Sequence, residues 1–160
     1  MTKTPVQFRL NGADKAVFVE DGQNLLDMLR RGVGDLTPKY GCGQGTCGTC
    51  TVLIDGTPHL SCLTLAETVA GREITTTAGL AQGAALHPLQ TAFMEGFAAQ
   101  CGYCTPGMLM AAKALLDANP RPTRDEIVEA ISGNICRCTG YEPIIDAIET
   151  ASRQMQGRVA

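Results

Sequence analysis

Residues 41–50 read GCGQGTCGTC and hold four glycines and three cysteines within ten positions. The glycines follow the spacing G-x-G-x-x-G, typical of loops that bind a dinucleotide pyrophosphate, at Gly43, Gly45 and Gly48. Such a loop needs a strand before it and a helix after it. Here Thr37 and Pro38 precede the loop and a β-prone segment follows it. The sequence therefore argues against nucleotide binding by this loop.

The cysteines of the same loop indicate metal binding instead. They follow C-x4-C-x2-C with a fourth, more distant cysteine, which is the plant-type ferredoxin spacing for a [2Fe–2S] cluster, at Cys42, Cys47, Cys50 and Cys62. Glycines let the backbone approach a cluster closely and leave N–H groups that can bond to sulfur. A zinc site would more naturally show two C-x2-C pairs. We therefore predict that these four cysteines bind a [2Fe–2S] cluster.

The remaining four of the eight cysteines form a second group. Their spacing is C-x2-C-x31-C-x-C, at Cys101, Cys104, Cys136 and Cys138. Each pair falls in a turn between two predicted helices, and the two turns together could bind zinc or a second cluster. The spacing alone leaves both possibilities open. Disulfides are rare in the cytosol, where we expect this protein, so both groups indicate metal binding rather than cross-links.

Composition excludes two classes of partner. The chain has 160 residues, with 13 basic and 16 acidic residues and a net charge of −3. No basic run is present to bind a phosphate backbone, so we do not expect nucleic-acid binding. The sequence has no apolar segment long enough to span a bilayer, and its first residues lack the apolar stretch of a secretory signal. We expect a cytoplasmic protein that does not bind a membrane.

The first half has the patterns of a small mixed sheet with one helix. Apolar and polar residues alternate on both sides of Asn11-Gly12, which predicts a β-hairpin. The run TVLI, followed by a turn at Asp55-Gly56, and the run EITTT predict further strands. A short helix is predicted to end at Gly32 and to carry on one face Leu25, Leu26, Met28 and Leu29.

The second half predicts four short helices. Pro88 is expected to open the first, whose apolar stripe comprises Leu89, Phe93 and Phe97. Thr105 is predicted to cap the second helix. Thr123 and Glu126 form a capping box for the third, and Pro143 begins the fourth. Four short helices with short connections predict a compact bundle.

The change of pattern divides the chain into two domains. We predict a first cluster-binding domain over residues 1–77 and a helical domain over residues 88–156. The Ala- and Gly-rich segment 78–87 is the predicted linker. The predicted fold class is α+β, because the strands and the helices occupy separate parts of the sequence.

Four runs of sequence together carry a family resemblance: GCGQGTCGTCTVLIDG, SCLTLA, QCGYCTPGM and GNICRCTGY. The chain resembles the small iron–sulfur subunit of the molybdenum hydroxylases, the family of xanthine dehydrogenase, carbon monoxide dehydrogenase and aldehyde oxidoreductase. The resemblance covers nearly the whole chain. It departs from the family pattern at Thr49, where Ala is usual, and at Thr46, where an acidic or amide residue is common.

The resemblance implies two [2Fe–2S] clusters, one in each domain, with all eight cysteines as ligands. It implies a β-grasp, plant-type ferredoxin-like N-terminal domain and a C-terminal four-helix bundle. The cluster of the helical domain would face a molybdopterin cofactor, with Gln100 and Cys138 against the pterin. The other cluster would face a flavin or another acceptor.

The implied function is electron transfer within an oxidoreductase complex. The chain would pass single electrons between the molybdopterin centre and a flavin or other acceptor, and would itself contain no catalytic residue. The implied partners are a large molybdopterin-binding subunit and an FAD-binding medium subunit, in a heterotrimer or its dimer. The substrate pocket would belong to another chain.

Overall fold

The computed structural model describes residues 3–157, which form a β-sheet half followed by a helical half. The strands are β1 (Lys3–Leu10), β2 (Ala13–Glu20), β3 (Thr51–Ile54), β4 (Thr57–Leu60) and β5 (Glu73–Thr75). The α-helices are α1 (Leu25–Asp27), α2 (Pro88–Glu95), α3 (Thr105–Ala118), α4 (Arg124–Ile131) and α5 (Glu142–Gly157). The predicted α+β class is confirmed.

The five strands form one mixed sheet with the order β2-β1-β5-β3-β4. β1 and β5 pair in parallel, while β1–β2, β3–β4 and β3–β5 pair antiparallel. The predicted hairpin at Asn11-Gly12 is confirmed, and both turn residues have positive φ, 53° and 80°. Two left-handed residues are what a two-residue hairpin turn needs to match the twist of its strands.

The helix of the first half lies on this sheet. The Asn24 side chain caps α1 by accepting a hydrogen bond from the backbone amide of Asp27 at 2.8 Å. The chain then continues as a π-helix over Met28–Val33. The predicted end at Gly32 was wrong, because the left-handed residue that stops the helix is Gly34, with φ of 82°. The core that the helix shares with the sheet includes Val6, Phe8, Leu25, Met28, Leu29, Val52 and Ile74.

Helix α2 begins at Pro88, as predicted, with His87 as its N-cap. Leu89 and Phe93 are buried, but the expectation that Phe97 continues their stripe was wrong. The helix ends at Glu95, and the chain turns through a left-handed Phe97 with φ of 52°. The amide of Ala98 then bonds to the Phe93 carbonyl at 3.0 Å, which is a Schellman-type ending. The Phe97 side chain is consequently 81% exposed.

The beginnings of the other helices agree with the sequence patterns more closely. The capping box of Thr123 and Glu126 is confirmed, and α5 begins one residue before Pro143. The prediction that Thr105 caps α3 was wrong, because the N-cap is Cys104. The carbonyl of Cys104 accepts the first hydrogen bond of the helix, from the amide of Met108 at 3.0 Å. Thr105 is therefore the first residue inside the helix.

The two halves pack directly on each other. Leu53 of β3 lies in the same apolar core as Met108 and Ala112 of α3. A 3₁₀ turn, Thr77–Gly79, leads into the connecting segment, which reaches α2 at Pro88. Among residues 3–157, no helix has the length and apolarity needed to cross a bilayer.

Candidate metal centres

The loop at residues 41–50 is an irregular turn that leads into β3 and exposes sulfur to its own backbone amides. The amides of Thr46 and Gln44 point at Cys42 Sγ, at 3.3 and 3.5 Å. A hydrogen bond from the Thr46 side chain, together with these amides, lowers the pKa of Cys42 to about 5. Cys42 is therefore a thiolate at neutral pH, and the thiolate is the form that binds metals.

The four cysteine side chains of the first quartet contact one another. Cys42 contacts Cys47, and Cys62 contacts Cys50. Burial, with further contributions from Cys50, raises the pKa of Cys62 to about 11. Cys47 Sγ also lies 3.2 Å from Thr49 Oγ1. A side chain at Gly41 would come within 2.7 Å of Cys47 Sγ, so the absence of a side chain there leaves room for that sulfur.

The second quartet forms where two inter-helix turns meet. Cys101 and Cys104 lie between α2 and α3, and the turn between α4 and α5 contains Cys136 and Cys138. Cys104 contacts Cys136, and Cys138 contacts Cys101. Burial raises the pKa of Cys104 to about 12. The Thr139 hydroxyl donates to Cys136 Sγ at 3.1 Å.

This quartet has a buried side and an exposed side. Cys104 and Cys136 are buried, whereas Cys101 and Cys138 are exposed. Gln100, which precedes Cys101 directly, is exposed as well. A group held by these four sulfurs would therefore be anchored in the helical core on one side and face the surface on the other.

The pairwise arrangement has a consequence for the metal. Among residues 3–157, no three or more His, Cys, Asp or Glu side chains surround one point where a single ion could sit. A tetrahedral zinc site needs four ligands around one ion. A [2Fe–2S] cluster instead has two irons, each with two thiolate ligands, and so suits two contacting pairs. Four thiols gathered in this way are a donor set that a [2Fe–2S] cluster accepts at either quartet.

A further observation at the second quartet fits a sulfide-containing group. The Thr105 hydroxyl oxygen is buried and has no hydrogen-bond partner among the described protein atoms. A buried unpaired hydroxyl is unfavourable. Thr105 follows Cys104 directly, so this unpaired hydroxyl lies at the helix start next to one of the four cysteines. The donor set and this unpaired hydroxyl together fit a [2Fe–2S] cluster.

Sequence reasoning missed three residues at or near these centres. Asn134 is buried between the quartets, yet it is an ordinary asparagine at the end of a helix in the sequence. Thr46 bonds to Cys42, and its hydroxyl within the C-x4-C loop was an available signal. Phe97 is exposed near Gln100, and the preceding Gly96 was the signal that α2 ends before it.

Two protein-family models match the chain in succession. The first is described as a 2Fe-2S iron-sulfur cluster binding domain and matches residues 8–79. The second is described as a [2Fe-2S] binding domain and matches residues 76–149. Each match contains one of the two cysteine quartets.

Individual relatives match over nearly the whole chain. The nicotine 6-hydroxylase small subunit of Paenarthrobacter nicotinovorans is 46% identical, over 96% of this chain and 92% of that protein. The nicotinate dehydrogenase small FeS subunit of Eubacterium barkeri is also 46% identical, over 94% of this chain and 96% of its own length. A chain of quinoline 2-oxidoreductase from Pseudomonas putida 86 superposes with a TM-score of 0.94, at 48% identity, covering 99% of this chain and 98% of that one.

Proposed function

This chain belongs to the small iron–sulfur subunits of the molybdenum hydroxylases, and we propose that its two cysteine quartets are the ligands of its two [2Fe–2S] clusters. The chain is the electron-transfer subunit of an oxidoreductase complex. The grouping of the cysteines supports the assignment of ligands, because each quartet lies within one of the two matched [2Fe–2S] domains and supplies four thiols. The ligands are Cys42, Cys47, Cys50, Cys62, Cys101, Cys104, Cys136 and Cys138.

The residues of the chain bind and tune the clusters but do not act on substrate. When bound, the clusters supply one-electron oxidation and reduction. The amides of Gln44 and Thr46 donate to Cys42, and the Thr139 hydroxyl donates to Cys136. Hydrogen bonds to ligand sulfur stabilise negative charge and so favour the reduced state of a cluster. Cys138 and Gln100 have a separate role, at the interface with the partner's cofactor.

The large partner carries molybdopterin in this family, and it docks on the exposed side of the second quartet. Cys138, Cys101 and Gln100 lie on this side, whereas Cys104 and Cys136 are buried. An exposed ligand sulfur and an exposed amide can contact the pterin of a partner directly. We place Gln100 and Cys138 in that contact.

Two exposed apolar side chains lie close to Gln100 in the sequence. Met94 is 66% exposed and Phe97 is 81% exposed, and both precede Gln100 closely in the chain. The positive φ of Phe97 belongs to the Schellman-type end of α2, and its side chain is left exposed there. Exposed aromatic residues are enriched at the centres of protein interfaces. Phe97 is therefore the anchor of the contact with the large subunit.

We propose the remaining parts of the assembly by analogy with the family. An FAD-binding medium subunit accepts electrons from the first quartet's cluster, and the complex is a heterotrimer or its dimer. We place the complex in the cytoplasm, where thiols stay reduced and available to bind clusters rather than forming disulfides. The predicted domains, residues 1–77 and 88–156 joined by 78–87, each hold one cluster.

Purification of the native complex tests this function. A tag on this chain is expected to retain a large subunit with molybdenum and pterin, and a medium subunit with FAD. A protein that carries its own iron but retains no molybdenum-containing partner would contradict the assigned role. Retention of the large subunit without flavin would contradict the medium subunit alone.

A further inference from the structure

The two cysteine quartets are joined by a hydrogen-bonded seam between the first loop and the α4–α5 turn. The amide of Ile135 donates to the Cys47 carbonyl at 2.9 Å. The Asn134 side chain donates through Nδ2 to the neighbouring Gly48 carbonyl, also at 2.9 Å. Asn134 is 5% exposed, and this bond is buried. A bonded route from Cys47 to Cys136 thus crosses a single hydrogen bond.

The seam is tight because glycines line it. Gly48 has φ of +69°, and a side chain there would come within 2.5 Å of the Gly133 carbonyl and 2.6 Å of Asn134 Nδ2. A side chain at Gly107, in α3, would overlap the Gly48 carbonyl and lie 2.9 Å from Asn134 Nδ2. The first loop, the start of α3 and the α4–α5 turn therefore meet around the Asn134 amide.

The Gly48 carbonyl has local partners as well. Thr51 donates to it through Oγ1 at 2.7 Å and through its backbone amide at 3.0 Å. These two bonds lie within the sheet half and hold the shape of the loop that carries Cys47 and Cys50. The bond from Asn134 comes from the helical half, so it holds the position of the loop rather than its shape.

Other hydrogen bonds also join the sheet half to the helical half, but they are less buried. Tyr103 donates to the Tyr40 carbonyl at 2.6 Å, but that bond is exposed. Thr77 donates to the Pro106 carbonyl at 3.2 Å at a partly buried position. Asn134 lies two residues before Cys136 and its acceptor lies next to Cys47, so this buried side-chain bond joins the neighbourhoods of ligands from both quartets.

We propose that Asn134 is a positioning residue that sets the separation of the two clusters by tying the Cys47–Gly48 peptide to the α4–α5 turn. The proposal rests on the proposed function, because it needs a cluster at each quartet. One-electron transfer and magnetic coupling between two centres both weaken steeply as their separation grows. A small shift of the seam would therefore change both while leaving each cluster bound.

The test compares Asn134→Leu with Thr51→Val in the purified native complex. Asn134→Leu keeps the branched shape of the side chain, with methyl groups larger than the amide atoms they replace, and removes the bond across the seam, while the Gly48 carbonyl keeps its two bonds from Thr51. Thr51→Val removes a donor to the same carbonyl from within the sheet half. The readouts are iron per chain, thermal stability, and the low-temperature EPR splitting caused by coupling of the two reduced clusters.

We expect full iron in both variants, loss or marked reduction of the splitting in Asn134→Leu, and unchanged splitting in Thr51→Val. Unchanged splitting in Asn134→Leu, or equal loss in both variants, would overturn the positioning role. Two EPR signals without splitting in the unmodified complex would also overturn it. An unmodified complex without iron would instead refute the proposed function, so the two failures are distinguishable. If Asn134→Leu does not fold, Asn134→Ala with the same readouts replaces it.

Discussion

The backbone amide of Ile135 lies 2.9 Å from the Cys47 carbonyl, and this bond joins the two cysteine groups of the chain. Ile135 precedes Cys136, so a residue of the first group is bonded to the immediate neighbour of a residue of the second. An electron carrier needs its centres at a fixed separation. The fold provides that by direct contact between the two loops.

Gly48→Ala is expected to destabilise the chain by roughly 2–5 kcal/mol. About 1–2 kcal/mol comes from the left-handed backbone and about 1–3 kcal/mol from the clash with the α4–α5 turn. Gly56→Ala is the matched control, since Gly56 has φ of +79° but no atom within 4 Å of an added side chain. Urea unfolding of the full chain measures both variants. Equal losses would show that the seam is not tightly packed.

Thr49→Val is expected to lower the reduction potential of the first quartet's cluster. A metal-bound Cys47 thiolate can only accept, so Thr49 is then the donor across their 3.2 Å contact, in place of its 3.3 Å bond to the Lys39 carbonyl. If that bond favours the reduced state by about 1 kcal/mol, its loss lowers the one-electron potential by about 40 mV.

Thr49→Ser keeps the hydroxyl and should keep the potential, and the signal of the second quartet's cluster serves as the internal reference. EPR-monitored redox titration measures all three. The role of Thr49 would be disproved by a potential that is the same in Thr49→Val and the unmodified chain.

Phe97→Gly is expected to weaken retention of the large subunit while it stabilises the chain itself. Glycine adopts the φ of 52° found at this position without strain, and the side chain that it removes is 81% exposed. Phe18→Thr is the control, because Phe18 is 71% exposed but lies on β2 at the far edge of the sheet. Co-purification and urea unfolding are the measurements. Full retention of the large subunit by Phe97→Gly would remove Phe97 from the interface.

The capping box of α4 gives the chain a pH-dependent contribution to stability. Hydrogen bonds from the Thr123 amide and hydroxyl hold the pKa of Glu126 below its usual value. A carboxyl with a lowered pKa in the folded state stabilises the fold above its unfolded pKa. That contribution is lost as pH falls through the folded pKa. Glu126→Gln removes it.

Thermal unfolding from pH 7 downward tests this effect. The unmodified chain should be more stable than Glu126→Gln at pH 7, and the difference should shrink as the solution becomes acidic. Glu129→Gln, an exposed carboxyl of the same helix outside the box, is the control. A difference that stays constant with pH would show that the charge of Glu126 contributes nothing.

Local signals in the sequence predicted much of this structure. The Asn11-Gly12 hairpin and the box of Thr123 and Glu126 depend on neighbours within a few residues, and the sorting of the cysteines into two groups is read from their spacing along the chain. The end of α2 was misjudged because Phe97 fits an apolar stripe by spacing. The Gly96–Phe97 turn overrides that periodicity.

The contacts between distant parts of the chain could not be predicted. Which cysteine contacts which depends on where the turns meet in space, and the sequence gives no measure of that distance. Asn134 has no sequence signal for its role, since an asparagine after a helix commonly serves as a cap or turn residue. Its acceptor, Gly48, lies in the other half of the molecule.

Metal analysis with EPR spectroscopy of the native complex, purified without oxygen, tests the central claim most directly. Two [2Fe–2S] clusters predict about four irons and about four labile sulfides per chain, with two distinct EPR signals on reduction. A chain that contains zinc in place of iron, or that gives no EPR signal when reduced, would contradict the account.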